Sequence, residues 1–204
     1  PRVSSRQFVV ALDRRSGQPR WQKPRIAGRH SYSTPLVLDA PDRPQVISAG
    51  GDRVVSYDPG SGDELWWIRY TGYSVVPRPV AGPALSGLIY VCTGFDDPRL
   101  LAIRTDGSGD VTDSHVVWHA TDAKCYVPSP VVVADYLFVA DDRGTANCFQ
   151  ASTGRRLWRS RLGNHFSASL LAVGQLVYFL SDSGAMKVVR AGPKLDLVAD
   201  NDLG

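Results

Sequence analysis

Four histidines, three cysteines and several paired aspartates are the residues of this chain that could support metal binding, redox chemistry or acid–base catalysis. Their spacing argues against each. His30, His115, His119 and His165 form no H-E-x-x-H pattern. His115 and His119 are four apart, but on a strand-like stretch that separates them along one face. Cys92, Cys125 and Cys148 show no C-x-x-C spacing. They read as small buried hydrophobes on strands, with a disulfide between two of them as the alternative. Phe95-Asp96-Asp97 and Asp141-Asp142-Arg143 could offer oxygens to calcium, which takes about six to eight. No D-x-D-x-D-G…E loop is present, however, and Asp beside Gly is the ordinary chemistry of tight turns. No G-x-S-x-G occurs either. The expected catalytic residues are none, and the expected metal ligands are none.

Recognition is the chemistry that remains. Four short segments, each just ahead of an apolar run, carry aromatic or basic groups: His30 and Tyr32, Tyr73 and Arg78, Lys124 and Tyr126, then Asn164, His165 and Phe166. Ligand-contacting residues concentrate on loops held by a rigid scaffold. Tyr32, Tyr73, Arg78, Tyr126 and His165 are therefore the candidate ligand-binding residues, for a protein or another ligand.

The scaffold announces itself as a repeat. ALDRRSGQPRW (Ala11 to Trp21) returns as SYDPGSGDELW (Ser56 to Trp66) and as CFQASTGRRLW (Cys148 to Trp158), where Gln150 replaces the Asp. A stretched copy runs from Ala102 to Trp118, with extra residues around Thr105–Ser114. Asp13 and Asp58 suit the start of a turn, because their side chains can accept from N–H groups just ahead. Gly17, Gly62 and Gly154 suit a position with φ > 0. The tryptophans Trp21, Trp66, Trp118 and Trp158 then fall on the returning strand, where a large apolar face can fill the gap between stacked sheets. From one Trp to the next the steps are 45, 52 and 40 residues. A period of about 40–45 residues, with alternation of period two and no helical periodicity, is that of a four-stranded propeller blade.

The expected fold is all-β, a β-propeller of four-stranded antiparallel blades. The chain divides into a partial blade over 1–29, blades over 30–72, 73–122 and 123–163, and an incomplete blade over 164–204. That makes about four and a half blades of a seven- or eight-bladed ring, with the missing blades expected in a longer parent chain.

This motif resembles the tryptophan-docking repeat of PQQ-like (pyrroloquinoline-quinone) bacterial propellers. That family includes quinoprotein dehydrogenases and the propeller lipoprotein of the outer-membrane β-barrel assembly machinery. The resemblance implies a quinoprotein-like propeller acting as a binding or scaffold module in the periplasm or cell envelope, with no cofactor expected. Its alternative implication is a dehydrogenase dependent on PQQ and calcium. Such enzymes carry an adjacent cysteine pair, which this sequence lacks.

Composition narrows the partners further. A net charge of +3 over 204 residues is too mild to argue for nucleic acid, and no apolar run is long enough to span a membrane. The basic residues Arg14, Arg15, Arg20, Lys23, Arg25, Arg29 and Arg155, Arg156, Arg159, Arg161 fall on outer strands or their turns. Charge there discourages edge-to-edge pairing.

Overall fold

The computed structural model describes residues 7–26, 28–40, 42–83 and 86–204. Nineteen strands lie among them and no helix, so no helix is long and apolar enough to cross a membrane. The first hairpin pairs β1 (Phe8–Leu12) with β2 (Pro19–Pro24). A second sheet holds β3 (Leu36–Asp39), β4 (Pro44–Ala49), β5 (Arg53–Tyr57) and β6 (Glu64–Arg69). The third holds β7 (Val80–Ala81), β8 (Leu88–Cys92), β9 (Leu100–Arg104) and β11 (Val116–Ala120), with the short β10 (Gly109–Asp110) between the last two in sequence. A fourth runs β12 (Val131–Val133), β13 (Tyr136–Ala140), β14 (Thr145–Gln150), β15 (Arg156–Arg161). The fifth runs β16 (Leu171–Val173), β17 (Leu176–Leu180), β18 (Ala185–Arg190), β19 (Asp196–Asp202). Each four-stranded unit is an antiparallel meander, as the repeat requires. The protein is a partial propeller.

Cores form between blades. In β8, Ile89 and Val91 join the core shared with the second sheet, while Tyr90 and Cys92 join the core shared with the fourth. In β13, Leu137 and Val139 face back to the third sheet, and Phe138 and Ala140 face forward to the fifth. Successive side chains on a strand point to opposite faces, so a middle strand with a neighbour on both sides is apolar throughout. Hence LIYVC and YLFVA read as unbroken apolar runs, whereas the outer strand β15 alternates Trp158 with Arg159 and Arg161.

Two features depart from the sequence expectation. The extra residues around Thr105–Ser114 are not a slack loop. They include β10, which crosses to the second blade and pairs in parallel with β6, giving that sheet five strands. Val111 is buried there in the core between the second and third blades, its N–H donating to the Trp67 carbonyl. The reading of all three cysteines as unbonded hydrophobes is also corrected. Cys92 and Cys125 form a disulfide across 33 residues, and Cys148 is free and buried. The pairing joins the end of β8 to the segment leading into the fourth blade. It therefore depends on blade-to-blade packing, which spacing along the chain does not display.

Candidate functional site

The turn motif positions everything else. Asp13 accepts from the N–H groups of Arg15 and Ser16, and Asp58 from those of Gly60 and Ser61. All three copies keep a bond from the Gly N–H to the carbonyl at the Asp or Gln position, and in the Gln150 copy the side-chain acceptor is Asp135, which accepts from the Ser152 N–H. The indole N–H of Trp21 donates to Pro59 O at 2.8 Å, that of Trp118 to Ala151 O at 3.0 Å, and that of Trp158 to Gly192 O at 3.3 Å. Each Trp thus docks on the turn of the next blade. Gly62 and Gly154 have φ of 75° and 72°, and a Cβ on either would collide with the ring of Trp21 or Trp118.

Trp66 is different because the next turn is the stretched one. Its indole donates to Gln45 Oε1 at 2.8 Å, Ser56 Oγ donates to the same oxygen at 2.7 Å, and Gln45 Nε2 reaches Thr105 O at 2.9 Å. Trp66, Ser56 and Gln45 are all buried. A polar relay replaces the direct dock, and the motif alone gives no hint of Gln45.

The lead-in segments run side by side around the axis. Ser31 bridges Val75, Ser33 Oγ donates to Pro77 O, Arg78 N–H donates to Ser129 Oγ, and Ser129 N–H donates to Ser169 Oγ. This stitching brings together most of the candidate ligand-binding residues. Tyr32, two-thirds exposed, lies 5.7 Å from His30 between ring centres; His30 lies 5.2 Å from Tyr73; Tyr73 lies 6.1 Å from Phe95; Phe95 stacks on Tyr126 at 4.6 Å. Five rings form one row across three blades. Arg78 and His165 stand outside it. Arg78 is exposed near the start of β7. His165 Nδ1 is 2.7 Å from Asp182 Oδ2, and Ser167 donates to both oxygens of Asp182. Those Ser167 bonds first, and His165 second, hold the Asp182 carboxyl below its ordinary range.

The row has an ionic anchor. Arg29 lies over Tyr73 with its guanidinium carbon 4.8 Å from the ring centre, and it pairs with both Asp52 and Asp96 from neighbouring loops. The Arg29 hydrogen bonds hold the Asp52 carboxyl below the usual carboxylate range. Asp52 and Asp96 sit at positive φ, 65° and 75°, which Asp tolerates better than most residues. Sequence reasoning set Arg29 among surface charges and Phe95 among turn residues. Their roles depend on which loops become neighbours.

The acidic pairs do not converge on a cation. Asp96 engages Arg29, Asp97 engages Arg99, and Asp141 accepts from the N–H groups of Arg143 and Thr145 in its own turn. Among the described residues no three of His, Cys, Asp and Glu come together. The Cys92–Cys125 bond joins residues 33 apart, not neighbours. This donor set does not fit the cysteine pair and calcium cage of a PQQ dehydrogenase. One arrangement does resemble a hydrolytic triad: Ser114 Oγ is 2.8 Å from His115 Nδ1, and Asp106 Oδ1 is 3.3 Å from His115 Nε2. Arg104 also lies 3.3 Å from that Nε2 and binds Asp106. Nε2 thus faces a guanidinium donor and a carboxylate acceptor at the same distance, and the bond between those two holds the ring in place. The cluster fastens the insertion to β9.

Comparison with known proteins places this geometry. The sequence profile of the family described as outer membrane protein assembly factor BamB matches residues 5–128 and 109–192. The outer membrane protein assembly factor BamB of Burkholderia pseudomallei is 32% identical over 100 residues, covering 48% of this chain and 26% of that protein. The structure of BamB from Moraxella catarrhalis superposes with a TM-score of 0.66 at 22% identity, over 95% of this chain and 55% of that one. Saccharomyces cerevisiae Sqt1 (TM-score 0.69, 10% identity, 93% and 54% covered) shares the fold alone. So does the Cps50 (Swd1) β-propeller domain of Myceliophteria thermophila (0.64, 16%, 96% and 65%). The matched stretch spans about half the length of the Moraxella structure and about a quarter of the Burkholderia protein.

Proposed function

The chain belongs to the outer membrane protein assembly factor BamB family, and from that premise we propose that it is a non-catalytic binding scaffold for outer-membrane assembly in the cell envelope. It holds a protein partner on the loop face. The observation that carries this reading is the row of five rings from Tyr32 to Tyr126, anchored by Arg29 and stitched blade to blade. Rigid aromatic groups give large contact area at little entropic cost. The Cys92–Cys125 bond supports an envelope location, because disulfides persist in oxidising compartments such as the periplasm. Exposed apolar residues on the outermost hairpins, Phe8 and Leu12 on one and Leu197 and Val198 on the other, suit cover by further blades of a seven- or eight-bladed ring.

The test is photo-crosslinking in cells, with a photoreactive residue at Tyr32 or at Val117 on the outer strand β11. An adduct with an outer-membrane assembly protein from Tyr32 but not from Val117 is expected. Adducts from Val117 alone would move the partner to the blade edges and defeat the reading. The scaffold needs no cofactor, so PQQ added with calcium should leave tryptophan fluorescence unchanged. Saturable quenching with dye-linked alcohol oxidation would restore the dehydrogenase.

A further inference from the structure

Beyond the end of the aromatic row, between the third and fourth blades, lies a cleft of about 650 Å³. Phe95 and Tyr126 form one wall. The other is basic: Arg159 and Arg161 project from one side of β15, joined by Lys124 and Arg143 from the loops, and all four are exposed. Among the described residues none of the four makes an ion pair, whereas Arg99 and Arg156 of the same two blades do. Two of the three acidic residues of the cleft are already engaged. Asp122 pairs with Arg156, and Asp141 is bound to N–H groups of its own turn. Asp142 lines the cleft as well, but its Oδ1 is buried away from the opening.

We propose that this cleft seats an acidic, aromatic-bearing segment of a partner protein. The proposal rests on the loop-face scaffold reading and names the chemistry of the partner there. Four unpaired cations call for carboxylates, and the Phe95–Tyr126 stack offers a face to an aromatic side chain. An acidic polypeptide with an aromatic residue brings both. A net charge of only +3 over the chain is too mild to hold a nucleic acid, and a lipid phosphate brings charge without an aromatic ring. The disulfide sets the walls in advance: Cys125 lies between Lys124 and Tyr126, and Cys92 is three residues before Phe95. Pre-formed walls reduce the entropy lost on binding.

Fluorescence anisotropy on the full chain tests this with a labelled Glu-rich peptide carrying one Phe, the same peptide with Gln for Glu, and a single-stranded oligonucleotide. The Glu peptide is expected to bind, weakening as salt rises. The Gln peptide and the oligonucleotide should each bind at least about tenfold more weakly than the Glu peptide, a difference of about 1.4 kcal/mol. The double variant Arg159→Glu/Arg161→Glu should lose at least the same factor, and Arg159→Gln/Arg161→Gln part of it, with thermal melts confirming the fold. Arg14→Glu/Arg15→Glu, on an exposed turn outside the cleft, should leave peptide affinity unchanged. Equal binding of the oligonucleotide would make the cleft a general polyanion site and overturn the proposal. So would peptide binding that survives the double variant, or no peptide binding at all. None of these outcomes touches the Tyr32 crosslink, so the loop-face reading stands or falls separately.

Discussion

A methyl group added at Gly62 or Gly154 would meet an indole ring, and at Gly17 it would meet nothing within 4 Å among the described residues. All three have φ between 71° and 75°, so each pays the left-handed penalty of about 1–2 kcal/mol on becoming Ala. Only Gly62 and Gly154 add a packing clash of roughly 1–3 kcal/mol. Chemical denaturation of the three Ala variants should therefore rank Gly17→Ala well above the other two in stability. A flat ranking would mean that the indoles yield at no cost. Gln45 predicts a second ordering. Gln45→Leu strands the Trp66 and Ser56 donors and the Thr105 carbonyl, each worth about 1–3 kcal/mol when buried and unpaired. Trp66→Phe removes a donor instead and should cost less of this polar term. The docking residues were legible in the sequence because the motif carries them at fixed offsets. Gln45, Arg29 and Phe95 were not, because each acts through a residue at least 20 positions away, across a distance no local pattern records.

Among elements, the insertion repays the closest reading. Its presence was legible as a stretched repeat, but its pairing was not, since a two-residue parallel bridge leaves no periodicity in the sequence. β10 covers the outer edge of β6, with Arg69 bound both to Asp110 and, through its N–H, to Thr112 Oγ1. Uncovered outer strands invite pairing with other chains. β15 meets that risk with Arg156, Arg159 and Arg161, whereas β6 (ELWWIR) has one basic residue and two tryptophans. Replacing residues 106–113 with a short turn should expose β6 and empty the Val111 site. Light scattering is expected to show association of that variant at concentrations where the parent chain is monodisperse. A monodisperse variant would show that the crossing strand protects nothing.

For the molecule as a whole, the four-stranded units and their order were legible, because repetition lets four copies correct one another, while β10, which has no counterpart in the other copies, was not. The cysteine chemistry was not, and it yields a direct check. Burial pushes the Cys148 thiol up to about 12, so at neutral pH it is neither ionised nor accessible. A thiol reagent should find no reactive cysteine in the native protein, one after denaturation without reductant, and three after denaturation with it. Any fast native labelling would contradict either the burial of Cys148 or the Cys92–Cys125 bond.

That bond also divides the chain mechanically. Pulled from its ends, a propeller arc lengthens as blades peel away one after another, each contributing its own contour length. The 33-residue span between Cys92 and Cys125 covers β9, β10 and β11 and cannot be drawn out while the sulfurs are joined. Fully extended, it amounts to about 110 Å of hidden length. In a single-molecule trace the oxidised chain should stop short by that distance, and the reduced chain should recover it as the third blade opens.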